Sequence, residues 1–137
     1  MTYIRVLLVI FVYSGIVFAQ EPAKEKKVFT AVVDKDGIQR VNITGNDFYF
    51  DPNYITLKVN VPAELTVKKA SGITPHDIVI EAPDAGINVK ESLSATPQVI
   101  KFTPRKAGEY PFYCSKKLLF FKSHRDRGME GIIKVAE

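Results

Sequence analysis

The sequence has 137 residues, 46% of them apolar and 25% charged, with a formal net charge of +4. That length suffices for one buried core and is too short for two domains. The charge is too mild to identify a partner by itself, and the chain has no arginine-rich helix or basic-aromatic repeat, so nucleic acid is not an expected partner.

The first element reads as a leader rather than as folded protein. Arg5 precedes an uninterrupted apolar or small stretch from Val6 to Ala19, and a charged run follows. Val17 and Ala19 have the small side chains that signal peptidase expects three and one residues before its cut, so residues 1–19 are read as a signal peptide cleaved after Ala19. An uncleaved membrane anchor is the alternative, although 14 apolar residues fall short of the roughly 17 to 25 that a spanning helix needs. Either way the folded part is expected in the periplasm or another extracytoplasmic space, with membrane association left open. Residues 20–27, charged and without apolar periodicity, read as a flexible linker, which leaves 28–137 as the single folded domain.

From residue 28 onward the pattern is one of short β segments. Strands are predicted at 28–34, 38–44, 54–60, 64–69, 76–82, 98–103, 108–114 and 130–135. Ile55, Leu57, Val59 and Val61 share one parity against Lys58 and Asn60, as a sheet with one face in a core and one in water requires. Asp36-Gly37, Asp51-Pro52, Ser71-Gly72, Pro83 to Gly86 and Lys106 to Gly108 supply turns. The expected fold is therefore all-β: a Greek-key sandwich of about eight strands, with 83–97 as a crossing between sheets. A small barrel is the alternative. With no Trp in the chain, Phe48, Phe50, Tyr110 and Phe112 are expected in the core.

Beyond the leader the chain contains one Cys, one Met and two His: Cys114, Met129, His76 and His124. A lone thiol in an oxidising compartment is buried, joined to another chain or occupied. Tyr110, Phe112 and Cys114 share a parity, as do His76, Ile78 and Ile80, and Met129 shares one with Gly131 and Ile133. His124 falls in the loop joining the last two strands. One pole of a sandwich could gather all four. Individually each has a plainer reading, the Cys and Met as core and each His as a surface or hydrogen-bonded residue. Together, thiolate, thioether and imidazole suit copper, because soft donors hold Cu(I) and imidazole also accommodates Cu(II). Zinc does not need the thioether.

The segments GITPHDIVIE, GEYPFYC and SHRDRGMEGIIKVAE, in that order, resemble the cupredoxins, the blue copper proteins related to plastocyanin and azurin, and NDFYFDPNYITLKVN resembles the usual entry into that fold. The resemblance covers most of residues 38–136. It implies that His76, Cys114 and His124 bind one copper in a near-trigonal plane, with Met129 as a weak axial ligand. Two features depart from the family. Nine residues, SKKLLFFKS, separate Cys114 from His124 where two to four are usual, and Asp77 stands where Asn is common. The Asp77 carboxylate either accepts hydrogen bonds from Ser115 or points to solvent at a strand edge.

These readings imply a monomeric, extracytoplasmic carrier of single electrons, cycling Cu(I) and Cu(II), rather than an enzyme. Two His already in use leave nothing for a three-histidine copper site, and a binuclear electron-entry site lacks its second Cys. The expected partners are redox proteins such as a cytochrome or a respiratory-complex subunit, docking at Leu118 to Arg127, where four apolar residues lie among Lys116, Lys117, Lys122, Arg125 and Arg127. A helical turn folded back as a lid, and a membrane contact, are the other readings of that loop. Two further readings of the whole chain are a periplasmic copper-binding or delivery protein and a metal-free accessory domain.

Overall fold

A computed structural model of the chain describes residues 25–137. The predicted signal peptide and residues 20–24 of the predicted linker lie outside the described residues. Among the described residues ten strands run in the order β1 (Val28–Thr30), β2 (Gln39–Asn46), β3 (Tyr49–Asp51), β4 (Tyr54–Lys58), β5 (Ala63–Lys69), β6 (His76–Ala82), β7 (Ile87–Leu93), β8 (Gln98–Phe102), β9 (Gly108–Tyr113) and β10 (Glu130–Ala136). They form a six-stranded sheet, β1-β4-β10-β9-β6-β7, and a four-stranded sheet, β3-β2-β5-β8. The chain passes back and forth between the two, which makes a β-sandwich and excludes the small barrel. No helix among the described residues is long and apolar enough to cross a membrane.

The alternation read in the sequence is what closes the sandwich. Ile55, Leu57, Ile78, Ile80, Phe112, Ile133 and Val135 of the larger sheet face Val41, Ile43, Phe50, Leu65 and Val67 of the smaller. Phe50 and Phe112 meet across the interface with ring centroids 5.1 Å apart. One end is fixed by a buried glutamine. Gln39 donates from Nε2 to the carbonyls of Lys58 and Val61, both at 2.9 Å, and accepts from the Lys58 amide at 2.8 Å, so its amide group is satisfied inside the core.

Two strands depart from the expectation of eight. The stretch 83–97, read as a crossing, contains β7, which pairs antiparallel with β6 through Ile80↔Val89 and His76↔Leu93. Its polar residues Asn88, Lys90, Glu91 and Ser92 lie along the free edge of the larger sheet, where charge discourages pairing with another chain and masks the strand signal. The second is β3, only three residues long, which folds back on β2 through Thr44↔Asp51.

Candidate metal centre

At the pole opposite Gln39, three strand ends converge. His76 opens β6, Cys114 follows the last residue of β9, and Met129 precedes the first residue of β10. The β9–β10 ladder continues one step beyond its strands, because the Cys114 amide donates to the Met129 carbonyl at 3.0 Å. Two more backbone bonds close the segment between them: Met129 N–H to the His124 carbonyl and His124 N–H to the Lys116 carbonyl, each 2.9 Å. This pinches the long loop at its neck, so residues 117–123 bulge outward without moving His124. The nine-residue spacing is thereby reconciled with a compact site.

His76, Cys114 and His124 are buried together. Their Nδ1 and Sγ atoms form a triangle: 3.1 Å between the two imidazole nitrogens, 3.5 Å from Cys114 Sγ to His124, and 3.8 Å from Sγ to His76. A point equidistant from atoms so spaced lies about 2 Å from each, close to a metal–imidazole bond and slightly inside a metal–thiolate bond of about 2.3 Å. Met129 is fully buried beside them, and Gly45 makes room for it. A Cβ at Gly45 would come within 3.3 Å of Met129 Cε and 2.7 Å of Leu93 Cδ1.

Charge is unfavourable in this pocket. Burial lowers the affinity of both imidazoles for protons, reinforced at His76 by His124 and Lys69 and at His124 by Arg127. Burial likewise pushes the Cys114 thiol up, despite backbone N–H groups of Asp77 and Lys116 that favour the thiolate. Neutral imidazoles and a thiol are favoured there, and a soft cation would bind by displacing the thiol proton.

Asp77 is only 3% exposed, so the solvent-facing reading of that residue is wrong. Its Oδ1 accepts the Ser115 amide and its Oδ2 the Ser115 hydroxyl, both at 2.6 Å, while Lys116 Nζ lies 3.8 Å away. Burial alone would raise this carboxyl. The bonds from Ser115 and Cys114 and the charge of Lys116 outweigh it and hold the group below the usual carboxylate range. In return, the Asp77 amide approaches Cys114 Sγ at 3.5 Å.

Phe48 is half-buried against the core, as expected, and it also serves the site. Its backbone lies at φ 59°, in the left-handed region that aromatic residues rarely adopt, and its ring meets His124 edge-on at 5.0 Å between centroids. Arg127 covers the same ring at 4.5 Å. Gly45 was missed, although an isolated glycine within a strand pattern is itself a sign of close approach. His124, 5% exposed, forms part of the floor of a groove of about 480 Å³ whose apolar walls include Phe48, Ile73, Pro75, Leu118 and Phe121. Leu118 to Phe121 are all exposed, so the loop is no lid. A larger groove, about 670 Å³ between the edges of β7 and β8, lies away from these residues.

A model of the cupredoxin-like domain family matches residues 7–125, a span that includes His76, Cys114 and His124 and ends before Met129. Among solved structures, the metal-binding domain of the Streptococcus pneumoniae Cu(I)-exporting P-type ATPase, with Cu(I), is 23% identical with a TM-score of 0.63, covering 82% of this chain and 99% of that one. A copper-binding protein solved in its apo form is 27% identical with a TM-score of 0.56, covering 79% and 96%. Dithionite-reduced auracyanin from the photosynthetic bacterium Roseiflexus castenholzii is 23% identical with a TM-score of 0.56, covering 72% and 97%. No curated protein sequence matches the chain. Thiolate, thioether and two imidazoles on this framework make copper the cofactor.

Proposed function

The chain belongs to the cupredoxin-like domain family, and from that premise we propose that it is an extracytoplasmic carrier of single electrons with one type 1 copper site. His76 Nδ1, His124 Nδ1 and Cys114 Sγ would hold the metal, with Met129 as the thioether donor. Copper bound there supplies a one-electron couple between Cu(I) and Cu(II). The observation that carries this reading is the buried triangle of 3.1, 3.5 and 3.8 Å, built on two strand ends, His76 and Cys114, and on a loop residue, His124, pinned by backbone bonds to Lys116 and Met129. Donors fixed in this way need little rearrangement between oxidation states.

The surrounding residues have separable tasks. Phe50, Phe112 and Ile133 fill the core below the site and exclude water from it. Asp77 holds the Ser115 backbone and so sets the direction of the Cys114 side chain. Phe48 fixes the His124 ring, which borders the apolar groove and is the natural edge for electron exchange with a docked redox protein, such as a cytochrome or a respiratory-complex subunit. The cations around the groove would steer an acidic partner toward that edge.

Visible and electron paramagnetic resonance spectra of the copper-loaded protein, with a redox titration, test the assignment. An intense sulfur-to-copper charge-transfer band and a reversible one-electron couple are expected. C114S should lose both, and a copper-loaded wild type lacking either would overturn the reading. The second reading, copper delivery, draws on the 27% identical copper-binding protein. Rapid loss of Cu(I) to a chelator would favour it, and retention would favour the carrier.

A further inference from the structure

The neck formed by Lys116 and His124 leaves residues 117–123 standing out from the pole of the sandwich, closed by a bond from the Phe121 amide to the Leu118 carbonyl at 3.0 Å. At its tip Leu118, Leu119, Phe120 and Phe121 are 62, 74, 100 and 57% exposed. On the loop before β6, Ile73 is fully exposed and lines the same groove as Leu118 and Phe121. Two separate loops thus present large apolar side chains at one pole. Isolated apolar residues on a surface need no explanation, but four in succession on a projecting turn do.

The charges carried by the segment itself are all of one sign. Residues 115–125 contain Lys116, Lys117, Lys122 and Arg125 and no acid. Lys116 is paired with Asp77 and Arg125 with Glu130, whereas Lys117 and Lys122 form no salt bridge among the described residues. The nearest acid in sequence, Asp126, accepts from the amide and hydroxyl of Ser123 and lies within electrostatic reach of Lys117 and Lys122, offsetting their charge in part. The shape separates two kinds of partner. A protein would need a pocket matching Phe120, which projects without a wall on either side, whereas a fluid lipid interface accepts a convex apolar tip directly. Lysines at the base of such a tip reach lipid phosphates by extending their chains.

We propose that Leu118 to Phe121, with Ile73, insert shallowly into an anionic phospholipid surface while Lys117 and Lys122 bind its phosphates. The metal pole would then face the membrane, and the protein would meet membrane-bound redox partners by moving along it. Lipid contact needs no metal in the site, so this goes beyond the copper carrier and can fail separately from it.

The chain contains no Trp, so Phe120→Trp places a single indole reporter at the tip. Val32→Trp places the control at the other pole, beside the Val33–Gln39 bridge, at a position that is also exposed. Each is made in the full chain, kept reduced, and mixed with vesicles of phosphatidylglycerol or phosphatidylcholine carrying brominated acyl chains. The expected result is that the indole emission of the Phe120→Trp variant moves to shorter wavelength and is quenched on phosphatidylglycerol vesicles alone, while the control is unchanged. Adding K117E and K122E should weaken that response about tenfold or more, since each basic residue near an anionic surface contributes about 1 kcal/mol. No change at position 120 on either vesicle would overturn the proposal and return this surface to a protein partner. Equal responses at both positions would also overturn it, showing attachment without orientation.

Discussion

Asp77 lies one residue beyond His76, and its two carboxylate oxygens are bonded to Ser115, one residue beyond Cys114. It therefore couples two strand ends that carry candidate ligands and leaves a buried negative charge beside the metal site, offset in part by Lys116 at 3.8 Å. Such a charge favours Cu(II) over Cu(I). Asp77→Asn keeps an oxygen for the Ser115 amide and removes the charge. The reduction potential should rise by tens of millivolts, on the order of 1 kcal/mol for one electron, as read by redox titration. Asp77→Ala should also broaden the copper resonance, because the Cys114 backbone loses its anchor. An unchanged potential in the Asn variant would place the charge outside the reach of the metal. Of these relations only the Asp77–Ser115 contact was legible in the sequence, as one of two readings. Burial decided it.

At the scale of elements, β9 and β10 set the position of the thiolate. Gly131 faces Phe112 across this ladder, and a Cβ there would collide with the Phe112 ring and the Asn53 carbonyl. A backbone oxygen cannot move aside as a side-chain end can. Gly131→Ala should therefore cost about 1 to 3 kcal/mol in chemical denaturation and disturb the copper spectrum through Phe112. A second device binds the turn before β2 to the smaller sheet. Arg40 joins Asp34 at 2.7 Å, Asp36 at 2.6 Å and Glu64 at 3.0 Å. Arg40 holds the Asp36 carboxyl below its usual range, and Lys101, with Arg40, does the same for Glu64. Depressed carboxyls give stability that is present above their unfolded values near pH 4 and lost as the pH falls through the folded ones. Thermal melts of Arg40→Gln should accordingly lie below wild type near pH 7 and converge with it below about pH 3.

For the whole molecule, ligands drawn from β6, the end of β9, the long loop and the start of β10 mean that metal binding depends on the assembled sandwich. An unfolded chain has no such site. Binding to the folded state alone raises stability, by about 2.7 kcal/mol when free metal exceeds the dissociation constant a hundredfold. Copper should therefore raise the melting temperature of the wild type, and removal with a chelator should reverse the shift. C114S should melt at the same temperature with or without the metal. A copper-independent midpoint in the wild type would argue that the three donors do not bind together.

The sequence alone determined the all-β class, most strand positions and the four candidate donors. Period-two alternation and the scarcity of Cys, Met and His are local properties that need no partner to be seen. It could not show β7, whose polar edge residues resemble a loop, nor the role of Phe48, whose ring reaches His124 across a long sequence separation. Only the tertiary structure decided how a nine-residue spacing still closes a site. Backbone bonds at Lys116, His124 and Met129 fix the neck of the loop, so its length is expressed as a projecting tip and not as a displaced ligand. Hydrogen bonds between residues far apart in sequence carry that information, and no window along the chain contains them.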